Sequence, residues 1–182
     1  WGKNPAYTTI HTMQILQNAK LNGCKVIVID PIKTSTANIA DYYIQINPGT
    51  DGALAMAMTK IIIKENLCYI DSYVLGYEEY KNYLDTLELD YLSRECGIEL
   101  DTIKELAKLY GQKYSSIWLG YGMQKYRNGG NTIRAIDALG AITGQIGYPG
   151  GGINYANKVY PAILNTDPYC SYVYAQNREF YV

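Results

Sequence analysis

Apolar positions along the chain follow two alternating periods, a helical one and a strand-like one. Thr12, Ile15, Leu16 and Ala19 fall at i, i+3, i+4 and i+7 and predict the buried face of a helix. Thr8 or Thr9 is placed to cap it, and Asn22-Gly23 is a stop. KVIVI at 25–29 is an apolar, β-branched run of the kind found in a parallel strand covered on both faces, and Asp30-Pro31 ends it. TSTANIA predicts a short helix, and YYIQI at 42–46 a second strand broken by Asn47-Pro48-Gly49. Asp51 opens a helix to about Asn66, with Leu54, Met58, Ile61 and Ile62 inward. Residues 70–113 read as mostly helical, with Tyr73, Tyr77, Tyr80 and Tyr83 at helical spacing. Within that stretch Asp101 or Thr102 is expected to cap a helix burying Ile103, Leu106, Ala107 and Tyr110, with Thr102 and Glu105 as a capping box. SIWLG at 116–120 is a third strand, followed by the glycine-rich loop GYGMQKYRNGG and a helix from about Asn131 to Thr143. The last thirty residues show no clear period.

Strands alternating with helices predict an α/β fold: three layers, α-β-α, around a mostly parallel, Rossmann-like sheet. The expected domain is 1–157, with a helical segment at 70–113 and an irregular extension at 158–182.

Charge and composition narrow the partners. Sixteen Lys plus Arg against 17 Asp plus Glu leave a net charge of −1, without the basic footprint of a nucleic-acid binder. No run of about 18 apolar residues is present, so no direct membrane insertion is expected. Cys24, Cys68, Cys96 and Cys170 are too far apart for a C-x-x-C zinc or iron–sulfur pattern. Twenty Tyr against one Phe fits an AT-rich coding bias better than a special role for tyrosine. Residue 1 is Trp, not Met, so the chain is expected to be a piece of a longer polypeptide. The compartment expected is cytoplasmic, with the periplasm as the alternative.

Ligands in such sheets sit beyond the carboxyl ends of the strands. WGKNP precedes a helix as a phosphate-binding loop does, and Gly2 allows close backbone approach. Asp30 closes the next strand and is placed to accept from ribose hydroxyls; it reads equally as a turn residue beside Pro31. Asp51 is a good helix cap. It is also one carboxylate able to accept both adjacent donors of guanine, N1–H and the 2-amine, a pair adenine lacks. Gly49 beside it gives access to backbone. The loop after the third strand sets Gln124 and Asn128 among glycines, as a heterocycle-binding edge or as a flexible turn. His11, the only histidine, has no partner nearby in sequence, and no nucleophile–base pair is visible.

Together these loops carry D-P-x-x-x-x-T-A, A-D, P-G-T-D-x-A-L and T-G-x-I-G-x-P-G-G-G in one order. With WGKNP and GYGMQKYRNGG, they resemble the molybdopterin oxidoreductases of the dimethyl sulfoxide reductase family over roughly residues 1–157. That family includes formate dehydrogenases, nitrate reductases and polysulfide or thiosulfate reductases. The resemblance implies a bis(molybdopterin guanine dinucleotide) cofactor with molybdenum or tungsten. By position it puts Gly2 and Asn4 near a diphosphate, and Asp30, Pro31 and Lys33 near a guanosine. It puts Gly49, Thr50 and Asp51 on the guanine, and Gly120, Gly122 and Gln124 on the pterin side. Ile32 stands where the family often has Arg, which shifts any cationic contact to Lys33. The family's 4Fe–4S cysteines and metal-ligating residue would lie upstream of Trp1. The remaining domains of the same polypeptide, and electron-transfer subunits, are then the expected partners. Two functions follow. One is the guanine-dinucleotide-binding part of a larger oxidoreductase, inactive alone. The other is a free-standing nucleotide-binding or scaffold module without metal.

Overall fold

The computed structural model describes residues 1–70, 74–112, 114–147 and 149–155. The expected extension at 158–182 and Tyr73 lie outside the described residues. Two short helices open the chain, α1 (Pro5–Thr8) and α2 (Ile10–Leu21), followed by strand β1 (Ile27–Ile29). A 3-10 turn (Ser35–Ile39) leads to β2 (Tyr42–Ile44) and the long α3 (Asp51–Lys64). Three helices follow: α4 (Tyr77–Asp85), α5 (Leu89–Cys96) and α6 (Leu100–Gly111). Then come β3 (Ser116–Trp118), a 3-10 turn (Tyr121–Lys125), α7 (Gly129–Ile142) and β4 (Gly152–Asn154).

The strands form two parallel pairs. Ile27, Val28 and Ile29 of β1 face Tyr42, Tyr43 and Ile44 of β2. Ser116, Ile117 and Trp118 of β3 face Gly152, Ile153 and Asn154 of β4. Trp1 and Gly2 lie between the pairs. The Gly2 N–H donates to the Ile29 carbonyl at 2.8 Å. On the other side the Trp1 amine donates to the Trp118 carbonyl at 2.8 Å, and the Gly120 N–H donates to the Trp1 carbonyl at 3.0 Å. Bonds from one residue to partners on either side of Leu119 are the parallel pattern, with Trp1 opposite Leu119. The order across the sheet is therefore β2-β1-Trp1-β3-β4. From Trp1 the chain turns toward β1, where the Thr36 hydroxyl holds Asn4 at 2.6 Å. From β3 it turns the other way, to α7, whose Gly140 packs against Ile153 of β4. Connections diverging from neighbouring strand positions make a topological switch point, the place where open α/β sheets bind ligands.

The main core lies on one face. Ile29, Ile44, Ile117 and Leu119 meet Leu54, Met58, Ile61 and Ile62 of α3, Ile103, Leu106, Ala107 and Tyr110 of α6, and Ile136 and Leu139 of α7. The inward positions expected for α3 and α6 are those buried. On the opposite face Val26 and Val28 pack with Ala37 of the first 3-10 turn, against Ala40 and Tyr43.

Several local expectations are corrected. The helix to Leu21 forms as α2 with Thr9 at its cap position, as expected, but the expected face is not buried: no residue of α2 is buried, and Ile15 is 59% exposed. No side chain of Thr8 or Thr9 caps it, and the Thr8 hydroxyl returns to the Asn4 carbonyl at 2.9 Å. α6 begins at Leu100 with Glu99 as its cap position, so the Thr102–Glu105 capping box does not form: both residues are already inside the helix. β4 falls in a glycine-rich stretch with little strand propensity, which hid it.

Candidate functional site

Four loops converge at the carboxyl edge of the sheet: Trp1–Pro5, Asp30–Lys33 after β1, Asn47–Asp51 after β2, and Gly120–Gln124 after β3. Their joints are backbone contacts that need glycine. Gly2 has φ +59°, and a Cβ there would meet Met123 at 3.0 Å. A Cβ on Gly120 would run into the Gly2 carbonyl. Gly49 has φ +80°, with the Tyr126 ring 3.2 Å from where its Cβ would be. Each of these backbones stays open to close approach only while it lacks a side chain.

Asp51 is the polar centre. It is the first residue of α3 and only 4% exposed. The helix cap position is Thr50, and it has no side-chain cap bond. Thr50 instead sends its hydroxyl to the Asn47 carbonyl at 2.7 Å. The cap role expected of Asp51 is thus not taken up. Its carboxylate turns to Trp1, whose indole Nε1–H donates to Oδ1 at 2.7 Å in a buried bond. Burial pushes the Asp51 carboxyl above its ordinary value; the Trp1 bond and its own backbone N–H pull the other way. Beneath the loop, the Cys96 thiol lies 3.9 Å from the Thr50 carbonyl and is pushed up by burial to about 12, an inert thiol.

The other predicted residues divide. Asp30 forms a turn: its Oδ1 accepts from the Ile32 N–H at 2.9 Å. Its charge acts on Asp51, so the two carboxylates share one region. Asn4 accepts from Thr36 through Oδ1, which turns its amide nitrogen away from Thr36. Pro31 accepts from the Gln45 side chain at 3.2 Å. Lys33 leans over the Tyr43 ring, 6.0 Å from its centroid, beside the minor core on the other face from α3. Gly120 is buried at the junction, whereas Gly122 and Gln124 lie on the exposed part of the turn beyond it. Gly2, Asp30, Gly49, Thr50, Asp51 and Gly120 are brought together; Lys33, Gly122 and Gln124 stand outside that group.

No local pattern marks Trp1 as the partner of Asp51, fifty positions away, or Thr36 as the partner of Asn4. Tyr126 over Gly49 was hidden among twenty tyrosines. A groove of about 770 Å³ opens beside Gly49 and Thr50, between α3 and α7, with Tyr80, Tyr83 and Tyr91 on its walls. Among the described residues no group of three or more His, Cys, Asp or Glu is placed to hold a metal ion. Among them, too, no helix is long and apolar enough to cross a membrane.

A parallel α/β sheet with a switch point, and polar loops gathered at its carboxyl edge, defines an α/β domain with a Rossmann-like sheet. Residues 1–179 match the Molybdopterin oxidoreductase family, and the chain belongs to that family. It is 39% identical over 160 residues to the probable oxidoreductase YyaE of Bacillus subtilis (strain 168), covering 86% of this chain and 24% of that protein. It is 35% identical over 158 residues to formate dehydrogenase H of Escherichia coli (strain K12), covering 85% and 22%. Among solved structures, acetylene hydratase from Pelobacter acetylenicus superposes with a TM-score of 0.68 at 30% identity, covering 74% of this chain and 19% of that one. The chain thus spans about a quarter or less of the length of these relatives.

Proposed function

We propose that this chain is the part of a molybdopterin oxidoreductase that holds the guanosine end of a bis(molybdopterin guanine dinucleotide) cofactor. The observation that carries the reading is Asp51: a buried carboxylate at the start of α3, beside backbone that only glycine leaves open. A carboxylate has about four acceptor sites, and Trp1 uses one. The remainder matches the adjacent N1–H and 2-amine donors of guanine. Adenine offers an acceptor at N1 and no 2-amine, and so leaves the carboxylate unsatisfied.

The residues fit the group. Gly2 and Gly120 form a cradle that a Cβ at either position would fill, and the Asp30 Oδ2 remains for a ribose hydroxyl. When bound, the cofactor supplies the metal and an electron path through its pterins, while the protein sets orientation and electrostatics. The work of this chain is to bind and orient. Asp51 fixes the base, Gly2 and Asn4 lie toward the diphosphate, and Gly120, Gly122 and Gln124 toward the pterin side. Turnover belongs to the longer polypeptide, which also supplies the metal ligand, a 4Fe–4S cluster and contacts to electron-transfer subunits. The share of the relatives that the chain spans supports this division.

Asp51→Asn tests the base assignment. Asparagine keeps an acceptor for the Trp1 indole but replaces the other oxygen with a donor, which opposes the guanine donors and suits the 2-carbonyl of xanthine. In calorimetry the variant is expected to lose GDP affinity and gain XDP affinity, each by about tenfold or more. Unchanged preference would remove Asp51 from the base site.

A further inference from the structure

We infer that Trp1 is the positioning residue that sets the base selectivity of Asp51, through the indole N–H bonded to Oδ1. The inference rests on the guanine reading above and adds a residue to it. Guanine selectivity depends on the plane of the carboxylate, because two fixed donors must meet its acceptor sites at once. The torsion that sets that plane is intrinsically broad and two-fold. At Asp51 the helix contributes only the residue's own backbone N–H, a donor that moves with the residue and comes from no second element. The bond from Trp1, 2.7 Å long and buried, restricts that torsion.

Trp1 is itself rigid. It is 9% exposed, and it is bonded to the Trp118 carbonyl and the Gly120 N–H, while the next residue is bonded to Ile29. The sheet therefore holds the indole, and the indole holds the carboxylate. The same bond favours the ionised form of Asp51, against the burial that disfavours it. Among the described residues, the charged and titratable side chains that act on Asp51 are Asp30 in an adjoining loop and the Cys96 thiol on α5. Neither supplies a directed donor.

Trp1→Phe removes the N–H and keeps most of the apolar volume. Affinities of the unaltered chain and the variant for GDP, IDP and ADP, measured by calorimetry across pH, separate positioning from bulk. Positioning predicts that the GDP preference over IDP and ADP collapses by about tenfold, an order set by one charge-assisted hydrogen bond. It also predicts that GDP binding in the variant fails at a higher pH than in the unaltered chain, because Asp51 loses a bond that favours its ionised form. A variant with both the preference and the pH profile intact, even at a lower melting temperature, overturns the inference and leaves the guanine reading standing. An unaltered chain that does not prefer GDP overturns both. Should the variant not fold, the indole N–H proton resonance of Trp1, assigned against Trp118→Phe, gives the answer in the unaltered chain. It is expected to shift on GDP addition and with the Asp51 titration; a resonance that responds to neither contradicts positioning.

Discussion

Asp51 is the acceptor of a buried indole and, in the proposed function, the same carboxylate is the group offered to a base. Because burial raises its pKa above 3.8, the folded state favours its protonated form relative to the unfolded chain. Its contribution to stability is therefore full below the unfolded value and is lost as pH rises through the folded one. Asp51→Asn stays neutral throughout and keeps the Trp1 bond. Its melting temperature at pH 7 is expected to equal or exceed that of the unaltered chain, and a scanning calorimeter reads this directly. A marked loss would mean that the ionised carboxylate is needed for folding. Gly120 makes the opposite case. Alanine there would set its Cβ against the Gly2 carbonyl and force the two loops apart. A loss of about 1–3 kcal/mol in chemical denaturation is expected, the scale of overpacking a tight site. At this scale the position of Asp30, Gly49 and Asp51 in loops at the sheet edge was legible in the sequence, because acids and glycines after strand-like runs mark strand ends. Trp1 was not, because its use depends on a contact fifty positions away.

Elements were legible where one face is fully buried. α3 and α6 bury the positions their periodicity predicts, since both pack against the sheet and against each other. α2 has the same periodicity but meets no core in this chain, and pattern alone does not reveal whether a partner surface exists. The joints between elements were equally hidden. Gln145 is 1% exposed and donates to the carbonyls of Tyr110 and Gln112, while its oxygen accepts from the Ser115 N–H at 3.0 Å. One amide thus ties the end of α6 to the approach to β3. Gln145→Leu strands these backbone groups, and a loss of about 1–3 kcal/mol is expected from urea titration. Lys60 acts similarly, donating to the Leu84 and Leu87 carbonyls at 2.9 and 2.6 Å at the end of α4.

At the scale of the whole molecule, two parallel strand pairs are joined through Trp1 and Gly2, with nearly all the core on one face. Stability is therefore unevenly distributed. Hydrogen exchange is expected to be slowest in α3, α6 and α7 and fastest in α2, which buries nothing; protection of α2 equal to that of α3 would contradict this packing. The α/β class and parallel pairing followed from the alternation of strands and helices. The order β2-β1-Trp1-β3-β4 did not, because it rests on backbone bonds of Trp1 and Gly2 to both strand pairs, which no periodicity signals. That order places the switch point between Trp1 and β3, with Asp51 bonded to the residue at its centre. What this edge binds is therefore decisive, and calorimetry of the 182-residue chain with GDP and with ADP under one set of conditions measures it most directly. Binding of GDP about tenfold or more tighter than ADP is predicted; equal affinity for the two, or tighter binding of ADP, would contradict it.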